Sequence, residues 1–402
     1  MDTRSKKKSI TASFVMFALV IVMLLFIATP IQMMLGMTGV LITELIFLAM
    51  AILGAIVMKE PLREVFPLHR PHARQVFGSL LLWAAAYLLV LFSTLLIGFL
   101  FPEQMGEVQT GLSDVITSVP FGIRFLIVAV SPAICEEAVH RGFILHFLKP
   151  VQKKWAIVVI MGILFGIFHL DPIRFLATAI LGMALTYAAL ETDNMFYSFL
   201  IHLINNTLSV LATRVTENMD ADAMNAQSSI TLSVVGAYLL FLCIAPWLLW
   251  AAVSLLHPKK TEKTKGTGKI VLACVLTSAF CVVGGIALTS LGMLGNAITT
   301  GSQTPTVSEL SETPYTTDFT LEKGGSQQLT AVLNTPAGRL HISIADDNGN
   351  IAYETTAQKL TGNFPLNLEN GHYTMTVELV ELPDDAGASD ELVSFYLILL
   401  EL

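Results

Sequence analysis

Three stretches of the chain combine carboxylate, imidazole and carboxamide side chains at helical spacing. The first is Cys135-Glu136-Glu137-Ala138-Val139-His140-Arg141, the second Phe165-Gly166-Ile167-Phe168-His169, and the third His202-Leu203-Ile204-Asn205-Asn206. Residues four apart lie on one face of a helix. Glu137 can therefore pair with Arg141 and Glu136 with His140, Phe165 shares a face with His169, and His202 shares one with Asn206. Such a set can hydrolyse a peptide bond. A carboxylate and an imidazole hold a water and take its proton, while an imidazole and a carboxamide donate hydrogen bonds to the developing oxyanion. Alternatively, Glu136, His169 and His202 can ligate zinc, which lowers the pKa of bound water to about 7. No HExxH favours the metal.

All three stretches sit in long apolar runs. Hydrophobic residues make up 54% of the chain and charged residues 13%, where a soluble domain carries about 25% charged. Runs of about 20 apolar residues match the hydrocarbon core of a bilayer. Nine occur, near 12–35, 39–58, 77–101, 121–147, 155–170, 173–190, 195–212, 230–256 and 270–294. The first is too long for a signal peptide's apolar stretch and reads as a spanning helix. The run 155–170 is short and ends at Asp171-Pro172. At 1.5 Å per residue, Glu136 and His169 each lie about 20 Å from the inner boundary, and His202 and Asn206 about 10–17 Å from it. Ionisable residues at such depth are costly and mark function.

The expected fold is an all-α polytopic membrane bundle of about nine transmembrane helices, followed by an extracytoplasmic all-β, sandwich-like domain. The parts are N-terminal helices over 1–120, a catalytic core over 121–212, further helices over 213–296, and the β domain over 305–402. Residues 301–402 hold fifteen Asp/Glu against Lys323, Arg339 and Lys359, so the tail carries −12 and the preceding 300 residues +4. The N-terminal cluster Arg4/Lys6/Lys7/Lys8 and the loops 59–74, 149–154 and 259–269 are basic, whereas 102–120 and 213–229 are poor in Lys/Arg. The positive-inside rule then gives a multi-pass cell-membrane protein with a cytoplasmic N-terminus and the tail outside. No pattern points to nucleic acid. The tail alternates apolar and polar residues in roughly seven short segments, as half-buried strands do. Asn348-Gly349 and Asn370-Gly371 read as tight turns, and 346–350 as a hairpin rather than a calcium loop. The four cysteines lie in apolar runs, and no CxxC pair suggests a metal or disulfide framework.

The ordered set Glu136-Glu137-x-x-x-Arg141, Phe165-x-x-x-His169 and His202-x-x-x-Asn206 resembles the CPBP family of intramembrane proteases, which includes the type II CAAX prenyl endopeptidases and the Abi-like proteins. The resemblance covers about residues 120–212 and leaves the β tail aside. It implies that Glu136 and His169 activate the water, that His202 and Asn206 hold the oxyanion, that Glu137 and Arg141 brace their helix, and that Phe165 lines the site. Members have been described both as metalloproteases and as glutamate-dependent proteases, so zinc stays open as a cofactor. The implied partners are a peptide or protein substrate and the lipid bilayer, with an outside partner an option for the β domain.

Plainer readings stand beside these. Glu137–Arg141 can be a neutralised structural pair, His169 a helix cap, and His202 and Asn206 interhelical hydrogen-bond glue. His140 and His146 read as packing or interfacial residues, and His69, His72 and His257 as solvated loop positions. Glu44, alone in the second run, reads as facing a lumen or the interface. A membrane scaffold or immunity protein with an inactive site, or a proton-coupled transporter, would use the same residues differently.

Overall fold

The computed structural model describes residues 3–216, 230–257, 267–295, 297–382 and 390–401. Parts of the connections 213–229 and 259–269, used above for charge, lie outside these residues. The chain forms two compact units, Met1–Thr289 and Ser290–Leu402.

Among the described residues of the first unit, seven helices are long and apolar enough to cross a membrane: Lys7–Leu35, Met37–Val57, Ala73–Leu100, Phe175–Thr192, Met195–Arg214, Leu232–Leu256 and Thr267–Met293. The number is seven rather than the nine expected. The two runs that fall out are those that carry Glu136 and His169. Residues 121–148 are continuously helical but hold Arg124, Glu136, Glu137 and Arg141. Lys154–Phe168 has 15 residues, about 22 Å at 1.5 Å per residue, against a hydrocarbon core of about 30 Å. The apolar exterior of the long helices includes Phe26, Leu53, Phe280 and Val283, a surface that only lipid can solvate. Residues 102–117, part of the stretch 102–120 read above as a connection poor in Lys/Arg, form the helix Pro102–Thr117, with Met105 and Ile116 buried.

The helix carrying Glu136 is irregular for a stated reason. Its α-helical segment Ser131–Glu137 lies between two π-turns, Phe125–Val130 and Ala138–Ile144. Pro132 has no N–H to return to Val128, and the helix widens just before it. The Val128 carbonyl instead accepts from Asn206 Nδ2 at 3.0 Å. In the second π-turn, the Ile144 carbonyl accepts from the Ser13 hydroxyl at 2.9 Å. Lys154–Phe168 and Phe175–Thr192 pack closely through glycine. A Cβ at Gly182 would stand 2.7 Å from the Phe165 Cβ and 3.2 Å from the Gly162 Cα, so a side chain there would displace Phe165.

Among the described residues after Gly295, the second unit is all β but for one short helix. Its strands are β1 (Ala297–Gln303), β2 (Tyr315–Leu321), β3 (Gly325–Asn334), β4 (Arg339–Asp346), β5 (Ile351–Ala357), β6 (Lys359–Leu368), β7 (Gly371–Val380) and β8 (Ser394–Glu401). They form two antiparallel four-stranded sheets, ordered β1-β8-β3-β6 and β2-β7-β4-β5. Alternation places Leu329, Ala331 and Leu333 of β3, Ile342 and Ile344 of β4, Met375 and Val377 of β7, and Leu397 and Leu399 of β8 in one core. The helix Val307–Glu312 opens with a capping box between Thr306 and Glu309 and adds Val307 and Leu310 to that core.

Residues 346–350 form the β4–β5 hairpin. The Asp346 carboxylate accepts from Asn350 Nδ2 at 2.9 Å and from the backbone N–H groups of Asn350 and Asn348 at 2.8 and 2.9 Å. These bonds, Asn350's first, hold its carboxyl below the usual carboxylate range. Asn370-Gly371 closes no hairpin, because β6 and β7 belong to different sheets. It carries the chain from one sheet to the other.

Candidate active site

The first unit gathers Glu136, Glu137 and Arg141 from the irregular helix, Phe165 and His169 from the short helix, and His202 and Asn206 from Met195–Thr216. Arg141 donates through Nη1 to Glu137 Oε1 and through Nη2 to the Gly182 carbonyl, both at 2.8 Å. Its side chain is 0% exposed and that of Glu137 1%. The pair anticipated at four-residue spacing is thus formed, and Arg141 also ties the helix to Phe175–Thr192.

Glu137 does more than neutralise Arg141. The same Oε1 lies 3.0 Å from His202 Nδ1, while His202 Nε2 faces Glu136 Oε2 at 4.0 Å. His202 is therefore set between two carboxylates of a neighbouring helix. Its own helix starts at a fixed point. The Asn194 side-chain oxygen accepts from the Phe196 N–H at 3.0 Å, and its amide group also bonds both backbone groups of His69. Asn194 is the N-cap, satisfying an N–H with no partner inside the helix. The Tyr197 hydroxyl accepts from the His72 N–H at 2.8 Å and donates to Gln75 Oε1 at 2.8 Å. Thus the loop 59–74 fixes the helix that presents His202 and Asn206. The side chains of His69 and His72 are exposed as expected, whereas their backbones are clamped, and His257 pairs with Glu191.

His169 closes its short helix as the C-cap residue. That is the plain reading as a helix end. Its Nδ1–H donates to the Phe165 carbonyl at 2.8 Å, which leaves Nε2 with a lone pair. The next residue, Leu170, takes a positive φ of 53°, the left-handed turn that ends helices and is costly for a leucine. Asp171 Oδ1 then accepts from the Ile173 and Arg174 N–H groups.

Phe165 does more than line the site. Its ring meets those of His169 at 4.9 Å, His202 at 5.7 Å and His140 at 5.1 Å, and the Arg141 guanidinium carbon lies 4.6 Å from its centre. It is the common wall of both histidines and the bracing arginine. His140 does not pair with the Glu136 carboxylate. Its Nδ1 bonds the Glu136 backbone carbonyl at 2.9 Å, and its ring is wedged against Phe165 and Phe168, a packing role. His146 lies 3.7 Å from Glu60. Asn206 spends one N–H on Val128, and its Oδ1 accepts from Asn205 Nδ2 at 3.3 Å. One N–H of its carboxamide is left for another acceptor.

Glu44 corrects the sequence reading. It is 5% exposed in Met37–Val57, a helix that packs against residues 131–144. It faces the interior beside the site, not a lumen or an interface. A single carboxyl in an otherwise apolar span was the available signal.

Zinc requires three or four donors within about 2.0–2.3 Å of one point. Among the described residues, no group of three His, Cys, Asp or Glu side chains is gathered closely enough to hold a metal ion. Glu136, His169 and His202, as arranged, do not fit a zinc ion.

Residues 117–208 match the family model described as type II CAAX prenyl endopeptidase Rce1-like. That segment of the membrane unit is thus similar to the type II CAAX prenyl endopeptidase family. A comparison with curated proteins gives no match. The matched segment contains all seven residues of the three motifs and the whole Glu137–His202–Arg141 junction. The matched segment ends at residue 208, and Glu44, Ser13 and the clamp loop 59–74 come from outside it.

Proposed function

We propose that this multi-pass membrane protein is an endopeptidase that cleaves a peptide or protein substrate inside its CPBP core with a water activated by Glu136 and His169. The observation that carries the proposal is the placement of His202 between the carboxylates of Glu137 and Glu136, at 3.0 and 4.0 Å. An imidazole from a separate helix is there fixed beside a carboxylate that has no basic side chain bonded to it.

In this mechanism a water donates one hydrogen to the Glu136 carboxylate and the other to the lone pair on His169 Nε2. Its oxygen attacks the scissile carbonyl carbon, a C–O bond forms, and the proton passes to Glu136. The carbonyl oxygen becomes the oxyanion and accepts from His202 Nε2 and from the free N–H of Asn206. Because Nδ1–H is engaged by Glu137, Nε2 donates only when both ring nitrogens carry hydrogen. Collapse of the oxyanion breaks the C–N bond, Glu136 gives its proton to the leaving amine, and a carboxylic acid and an amine result. Arg141 holds Glu137, and Phe165 holds the two imidazoles apart.

Purified protein and a cleavable reporter peptide test this scheme. Glu136→Gln removes the base and should abolish detectable turnover in a folded protein. Asn206→Ala removes one oxyanion donor and should retain a trace, about 100–1,000-fold below wild type. Full turnover by Glu136→Gln would sink the mechanism.

The orientation follows from loop charge: N-terminus cytoplasmic, β unit outside the cell. Single cysteines placed by Arg70→Cys and Ser326→Cys test it with an impermeant thiol reagent. Position 326 should label in intact cells and position 70 only after lysis, and the reverse pattern would invert the topology.

A further inference from the structure

The short helix Lys154–Phe168 and the helix Phe175–Thr192 form a hairpin whose two ends are both fixed. At its base Lys154 pairs with Glu191, and Lys149 pairs with Asp193 at 2.8 Å. The same end holds the bonds between Asn194 and His69 and the bond from Arg74 to the His257 carbonyl, so the base lies level with the loop 59–74. Trp155 is exposed there and stacks on Tyr187 with ring centres 5.5 Å apart, as aromatic side chains do at a membrane–water interface. Toward the tip, a Cβ on Gly166 would stand 2.8 Å from the Phe175 ring, so the two helices touch right up to the turn. The hairpin is therefore no taller than its shorter arm, which has 15 residues and rises about 22 Å. A hydrocarbon core is about 30 Å thick, so the tip stops about 8 Å short of the opposite boundary.

The tip runs from His169 to Arg174, and its polar content does not suit lipid. Leu170 turns out of the helix in the left-handed region, and Asp171 Oδ1 accepts from the N–H groups of Ile173 and Arg174. Pro172 is exposed, and Asp171, Ile173 and Arg174 are half-buried, so the protein does not seal this turn. Non-helical backbone at membrane depth is tolerated only inside protein or beside water. Charged side chains at that depth likewise face an interior or a water-filled space. Water must therefore stand over Asp171 and Arg174. From the far side it has about 8 Å to come. From the near side it has about 22 Å, past the ion pairs of the base.

We propose that the active site opens toward the face opposite the loop 59–74, which the loop charges make the extracytoplasmic face, and that its substrate is a polypeptide segment on that face, with the turn 169–174 as the threshold it crosses. His169 is both the C-cap of the short helix and the first residue of the turn, so an imidazole assigned to water activation borders on the water itself. A chain coming from the far side reaches His169 without parting the hairpin. This inference rests on the assignment of the reaction to Glu136 and His169.

The test places a cysteine in the turn. Pro172→Cys is compared with Arg70→Cys and Ser326→Cys, which report the two faces, and with Ile163→Cys, an exposed position on the apolar stretch of the same short helix. Wild type, with its own cysteines, is the blank. An impermeant thiol reagent applied to intact cells should label Pro172→Cys together with Ser326→Cys and leave Ile163→Cys at the level of the blank. Labelling of position 172 only in company with position 70, or no labelling of it even after lysis, overturns the proposal. Equal labelling of Ile163→Cys also overturns it, since water would then reach the whole helix and not the turn. If Pro172→Cys does not accumulate, Ile173→Cys is read in the same way. In purified protein, a bulky adduct at position 172 should remove most of the turnover of the reporter peptide at unchanged melting temperature. Full turnover with the adduct in place overturns the turn as the substrate's entrance. The two readings fail separately, because labelling needs no turnover. An inactive protein labelled at 172 in intact cells would remove the endopeptidase reading and keep the opening, whereas an active protein labelled there only after lysis would remove the opening alone.

Discussion

Arg141 and Glu137 form a buried pair that also reaches a third residue, His202. A fully buried ion pair is seldom a source of stability, but losing one partner strands the other and costs about 3–5 kcal/mol. Here the stranded group would be Glu137, whose second task is to hold His202 at 3.0 Å. Arg141→Ala also takes a donor from the Gly182 carbonyl. We expect Arg141→Ala to accumulate poorly, with a lower melting temperature. Adding Glu137→Gln should recover part of the yield, because an amide oxygen can still accept from His202 Nδ1 without leaving an unpaired charge. Thermal melts of the single and double variants check this. A single variant as stable as wild type but inactive would move Arg141 from bracing to the reaction itself.

At the scale of elements, the spacing of the motif residues carried most of the site. Four-residue spacing predicted the Glu137–Arg141 pair, which the structure forms, and the shared face of Phe165 and His169, which appears as the bond from His169 to the Phe165 carbonyl. Spacing fails where the contact depends on a helix that is not regular or on a partner far away in sequence. Glu136 and His140 also lie four apart, but the π-turn from Ala138 begins between them and the imidazole meets the backbone of Glu136, not its carboxylate. The bond between Asn206 and Val128 spans 78 residues, and only Pro132, as a missing donor, hinted that a carbonyl there would be free. Glu44 is separated from Glu136 by most of two spans, so a period count within one helix cannot reach it. The helix count errs for a related reason. Hydrophobic runs locate helices, but the charge that makes residues 121–148 useful is what disqualifies them as an ordinary span. In the β unit, alternation located strands where one face is buried, as in β3 and β4. It could not tell a hairpin from a crossover at Asn370-Gly371, since both need the same turn chemistry.

At the scale of the whole molecule, the two units are built on unlike physics, and each closes its own interior. The partners found for the site residues among the described residues all lie within Met1–Thr289: Glu137, Arg141, Phe165, Gly182 and Val128. The β unit closes a separate core from its two sheets. We therefore expect a chain truncated before Ala297 to keep cleavage once it is folded in detergent or lipid. Loss of cleavage by such a folded truncation would show that the β unit takes part in the reaction. The excised β unit makes a sharper forecast, because the place of the cut matters. β1 hydrogen-bonds to β8 from Ala297↔Leu400 to Gln303↔Phe395, and β8 carries the buried Leu397 and Leu399. A fragment over 305–402 removes β1 and exposes the edge of β8, an open row of backbone donors and acceptors that invites pairing with other chains. A fragment over 297–402 keeps that edge covered. We expect the longer fragment to be monomeric, with a β-type circular-dichroism spectrum. The shorter one should melt about 4–8 °C lower, the change that about 1 kcal/mol makes in a domain near 100 residues, and should self-associate in sedimentation at rising concentration. Equal melting and equal monomer content in the two fragments would mean that β1 adds nothing to the sheet. A helical or featureless spectrum from the longer fragment would mean that this unit does not fold on its own.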